Sequence, residues 1–118
     1  DDIAELIPHL PAALPGGELL QAMARETISM VSDSVTAYVR QDVALAERVM
    51  AADDTVDDYF DRVKRSLISS VARGDSDGEG TLDILMVAKY FERIGDHATN
   101  IAEWVEFSVT GVHKEETT

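Results

Sequence analysis

Between Glu18 and Arg73 the chain contains neither glycine nor proline. No residue in that stretch breaks a helix by its own geometry, and the stretch is too long for one helix of a compact domain. It must therefore turn without the usual breakers. Two polar clusters compete for the turn, Arg40 to Asp42 and Ala52 to Asp54, and the apolar phase runs through both. Length decides between them. A turn at Asp42 yields helices of matched size, as an up-down-up bundle prefers, and makes Asp42 an N-cap.

Punctuation elsewhere sets the remaining boundaries. All three prolines, Pro8, Pro11 and Pro15, precede Gly16-Gly17, so residues 1–16 read as an extended linker that ends at a helix start. The sequence "GDSDGEG", Gly74 to Gly80, is a polar loop; Thr81 is the expected N-cap of a last helix, with Asp83 complementing its dipole. The bundle is thus expected over residues 17–111, with a frayed tail over 112–118. No alternating run bounded by turn residues argues for a strand. Apolar stripes of helical period dominate instead: Leu19, Met23, Met30, Val31, Val35 and Tyr38 in the first helix; Leu45, Val49, Val56, Phe60, Val63, Leu67 and Val71 in the second. In the last helix Met86, Tyr90, Phe91, Ile94, Ala98, Ile101 and Val105 share one face. Methionines and aromatics at such spacing read as core. The class is all-α, an antiparallel three-helix bundle.

Charge narrows the function. Ten Lys+Arg stand against 23 Asp+Glu, a formal charge of −13. Such a surface repels nucleic acid and anionic membranes and suits cations or basic protein surfaces. There is no cysteine, hence no disulfide framework and no thiolate site, and no apolar run long enough to span a membrane. These features fit a cytoplasmic protein.

The acids are not scattered. Glu92, Asp96, Asn100 and Glu103 recur at helical spacing along one side of the last helix, where like charges repel. One reading is a wet face, with Lys89 and Arg93 as ordinary ion-pair partners one turn away. The other is a ligand row. In the second helix Asp53 falls inside the apolar stripe, with Asp57 one turn on. A carboxylate there is costly unless it is paired, protonated or bound to a cation. Counting outward from the loop places Asp61 level with Glu92, Asp57 with Asp96, and Asp53 with Asn100, so two acidic rows meet. His97 reads as a satisfied histidine at the core boundary.

The stretch Phe91-Glu92-Arg93-Ile94-Gly95-Asp96, followed by Ala98, Asn100 and Ile101, closely resembles the signature of the PhoU family of phosphate-uptake regulators. "MAADDTVDDYFDRV", with Asp53 and Asp57, is similar to the family's companion acidic segment, and "YVRQD" to its first inter-helix turn. The resemblance covers about Leu19 to Gly111. It implies a three-helix repeat, of which the family usually carries two and this chain one, similar to the C-terminal repeat. It also implies iron or zinc bound by surface carboxylates, and contacts with a phosphate ABC transporter ATPase and a sensor histidine kinase that repress the phosphate-starvation response. Catalysis and an organic cofactor are not implied.

On the residues themselves, Asp57, Glu92 and Asp96 are the expected centre of a carboxylate metal site, with Asp53, Asn100 and Glu103 at its margin. Oxygen-only ligands suit magnesium, manganese or iron, and zinc where carboxylates bridge. Di-iron bundles use Glu-x-x-His pairs, and none occurs here. A single repeat is expected to pair as a homodimer in place of its missing mate. The alternative is a structural dimerisation bundle without metal.

Overall fold

The long uninterrupted stretch does turn at Asp42. A computed structural model describes residues 17–74 and 78–111, which form α1 (Gly17–Arg40), α2 (Val43–Ala72) and α3 (Gly78–Thr110). Among the described residues there is no strand, and every helix packs on the other two. The expected linker 1–16, the tail 112–118 and loop residues 75–77 lie outside the described residues.

In place of a glycine, Gln41 takes the left-handed conformation that ends α1, with φ 56°. Its side-chain amide donates to the Tyr38 carbonyl at 2.7 Å. The Asp42 carboxylate then accepts the Leu45 amide at 3.1 Å, which caps α2 as its sequence position predicts.

The start of α3 differs from expectation. The helix begins at Gly78, so Thr81 lies inside the first turn and is not its N-cap. Glu79 supplies the acidic group near the positive end of the dipole. The connection after α2 is therefore shorter than the "GDSDGEG" composition suggests, and its midpoint moves towards α2. That displacement slides the expected pairing of the two helices by one turn.

The core is a heptad seam. Leu20, Met23, Thr27, Met30, Ser34 and Ala37 line it from α1. From α2 come Ala46, Val49, Val56, Val63, Leu67 and Ser70, with Asp53 and Phe60 in the slots between them and Leu45 buried beside the first. On α3 the seam runs Ile84, Ala88, Phe91, Gly95, Ala98, Ala102 and Val105. Alternating steps of three and four keep one stripe facing its neighbours, as in knobs-into-holes bundles. Several large residues of the expected core face outward instead: Met86, Tyr90 and Ile101 on α3, Val35 and Tyr38 on α1, and Val71 on α2 are exposed. His97, expected at the core boundary, is exposed as well. The reason is steric. Close helix approach favours small side chains on the seam, as at Ala88, Ala98 and Ala102, and these carry little hydropathy to reveal it.

Gly95 illustrates the fit. A Cβ built there would meet Met30 Sδ and Val56 Cγ1 at 3.6 Å, which is ordinary contact. Space therefore does not demand glycine at this point. Two hydroxyls are less comfortable: Thr27 Oγ1 and Ser70 Oγ are buried without a hydrogen-bond partner. Each costs about 1–3 kcal/mol of desolvation.

Candidate metal centre

Asp53 occupies a seam slot, one turn after Val49 and just before Val56, both fully buried. The side chain is half-buried; its Oδ1 is inaccessible to solvent and has no hydrogen-bond partner, while the Thr99 hydroxyl is in hydrogen-bonding reach of the carboxyl group. A lone pair in that position wants a proton or a cation. One turn on, Asp57 points its carboxylate to the same place, and Asp96 reaches it from α3. One oxygen from each of Asp53, Asp57 and Asp96 lies within 4.8 Å of the others. The two acidic rows meet, as the count from the loop predicts, but one turn out of the predicted register. Asp57 is in hydrogen-bonding reach of Glu92, and Asp53 of Asp96.

The proton affinities record the crowding. Burial pushes the Asp53 carboxyl above its ordinary value of 3.8, and the neighbouring Asp96 charge adds to it. For Asp57 the carboxyl is pushed up to about 6. Partial desolvation leads there, followed by the hydrogen bond to Glu92 and the charges of Asp53, Glu92 and Asp96.

The other residues expected at the site are placed differently. Glu92 flanks the trio through Asp57 and is itself paired: its Oε1 accepts from Lys89 Nζ at 2.7 Å. Glu103 lies two turns beyond Asp96, outside the group that converges. Asn100 lines an apolar groove of about 420 Å³ with Val35, Tyr38, Ile101 and Trp104, on the α1 side of α3. By its place in the apolar stripe Phe60 is expected only in the core. The Phe60 ring carries Lys89 Nζ at 5.3 Å and Lys64 Nζ at 6.0 Å from its centroid. An aromatic followed four residues later by a lysine, across from a Lys-x-x-Glu, was the available signal.

A hard cation fits this arrangement. The donors are all carboxylate oxygens, they converge from two helices, and one of them is orphaned and inaccessible. Oxygen donors of this kind suit magnesium, manganese or iron.

A family profile described as "PhoU domain" matches residues 20–105. Three relatives place the likeness. The phosphate-specific transport system accessory protein PhoU homolog 1 of Thermotoga maritima is 33% identical over 82% of this chain and 42% of its own length. A PhoU homolog of Zymomonas mobilis is 34% identical over 99% of this chain and 50% of its own. The accessory protein PhoU of Escherichia coli is 32% identical over 78% and 38%. The chain thus spans half or less of the length of these relatives. No solved structure matches it.

Proposed function

This chain belongs to the PhoU family, and on that premise we propose that it is a non-catalytic regulatory module of phosphate uptake whose acidic face holds a divalent metal ion and meets basic partner surfaces. The observation that carries the reading is the convergence of Asp53, Asp57 and Asp96 around an orphaned carboxylate oxygen, on a bundle of this family. Asp53, Asp57 and Asp96 hold the ion, which neutralises the meeting rows and ties α2 to α3. The partners are the ATPase of a phosphate ABC transporter and a sensor histidine kinase, through which the phosphate-starvation response is repressed. Their meeting place is the cytoplasm. Among the described residues no helix is long and apolar enough to cross a membrane.

With a formal charge of −13, association with a basic surface is steered electrostatically. Binding of the transporter ATPase should therefore weaken steeply with salt, by about tenfold or more between 50 and 300 mM, mostly through a slower on-rate. Surface plasmon resonance across that range checks it. Binding indifferent to salt would argue against the acidic face as the contact.

Self-association belongs to the same reading. Val35, Tyr38, Ile101 and Trp104 are exposed, and they border one groove between α1 and α3. A second copy covers that groove by a two-fold, self-complementary contact. Sedimentation equilibrium should show a dimer at micromolar concentration, and Trp104→Glu should return it to monomer. A wild-type chain that stays monomeric at high micromolar concentration would sink the idea.

A further inference from the structure

Lys89 and Glu92 are an i, i+3 pair on one helix, which on an open surface contributes little. Two observations set this pair apart. The Glu92 side chain is only 15% exposed, whereas Lys89 is 59% exposed. And the ammonium is held from a second helix, since the Phe60 ring of α2 stands 5.3 Å from Lys89 Nζ while Glu92 Oε1 lies at 2.7 Å. Lys89 is thus fixed from both sides, by a π face and by a carboxylate.

What it is fixed against matters. Glu92 is the fourth carboxylate of the acidic face, next to Asp57, yet one of its oxygens is already engaged by the protein's own cation. The face as folded is therefore a trio of Asp53, Asp57 and Asp96 beside a neutralised neighbour. Without Lys89, Glu92 would be a nearly buried, uncompensated carboxylate at the edge of that trio, and such a group draws a cation strongly.

We propose that Lys89, seated on Phe60, is a tethered counter-ion that withholds Glu92 from the carboxylate trio and so sets how tightly this face binds a divalent metal ion. The proposal rests on the metal reading above, and its role is positioning: Lys89 acts through Glu92 and would touch no bound ion. A metal ion competing for Glu92 must displace the ammonium from both the carboxylate and the ring. This tunes affinity by a local contact and not by net charge alone.

The experiment is a manganese titration of the whole chain by isothermal calorimetry, checked by the electron paramagnetic resonance of free Mn2+. Lys89→Met keeps the aliphatic stem and should tighten Mn2+ binding by about tenfold or more. Lys89→Arg keeps the charge and should stay near wild type. Lys64→Met removes the same charge from the same ring but frees no carboxylate of the site, and should change affinity by less than about twofold. The decisive arm is the Glu92→Gln background, in which Lys89→Met should no longer tighten binding. A gain that survives Glu92→Gln, or no gain from Lys89→Met, overturns the tether while leaving the metal site standing. If neither the wild type nor Lys89→Met binds Mn2+, the metal reading falls and the tether with it.

Discussion

Asp57→Asn should move the melting temperature in opposite directions with and without metal. In the chelated protein the variant should melt above wild type, because it removes one of three carboxylates whose oxygens converge within 4.8 Å. Asparagine is nearly isosteric and has a helix propensity close to that of aspartate, so the change reports charge and not helix formation. With Mn2+ the order should reverse. A cation at a hundred times its Kd stabilises a fold by about 2.7 kcal/mol. In a domain of this size that corresponds to about 10 °C or more. Wild type should gain this rise, Asp57→Asn and Asp96→Asn should lose most of it, and Asp83→Asn, exposed on α3 away from the trio, should keep it. If chelated and loaded wild type melt together, the acids are only a wet face.

If the trio holds a cation as proposed, proton and cation compete for the same oxygens, which gives the effect a pH window. The Asp57 carboxyl is raised from 3.8 to about 6 in the fold. A folded state that binds a proton more tightly than the unfolded chain is favoured at low pH, and the benefit is lost as pH rises through the folded value. The metal-free protein should therefore gain stability on acidification from pH 7 towards pH 4, most steeply near 6. The rise produced by Mn2+ should shrink over the same interval, since each bound proton removes a ligand charge. Differential scanning calorimetry at several pH values, with and without chelator, reads both trends at once.

The parts of this fold legible in the sequence are those fixed by local chemistry. Asp42 caps α2 because a short polar acceptor before an apolar period has few other uses. The carboxylate at Asp53 stands out because it interrupts an apolar stripe. Alignment of the rows was legible only to within one turn. It depended on where the loop ends, and the helical start at Gly78 to Gly80 runs against the turn composition of that segment. The contacts of Lys89 with Glu92 and Phe60 show a different limit. A lysine three residues before a glutamate is common, and only the packing of α2 on α3 brings the ring beneath it. Burial on α3 is obscured in the sequence for a third reason. Hydropathy ranks Met86, Tyr90 and Ile101 above Ala88, Gly95 and Ala102, whereas close approach of helices ranks them the other way.

That last distinction is open to direct measurement at adjacent residues. Phe91 is 2% exposed on the α3 seam, whereas Tyr90 is 58% and Met86 62% exposed. Phe91→Ala deletes a buried ring and leaves a cavity among side chains that cannot fully collapse, a loss of about 3–5 kcal/mol. A domain of this length holds roughly 5–15 kcal/mol in total, so the melting temperature should fall by on the order of 15–30 °C. Met86→Ala, at an outward position, should change stability by no more than about 0.5 kcal/mol. Tyr90→Ala loses a tilted ring contact with Phe91 at 6.5 Å, worth about 0.5–1.5 kcal/mol. All three residues belong to the single apolar face that helical periodicity draws on α3. Equal losses from Tyr90→Ala and Phe91→Ala in urea denaturation would restore that face as the core. A large gap between them places the core on the heptad seam, where Phe91 anchors the turn that carries Glu92 and Asp96 towards α2.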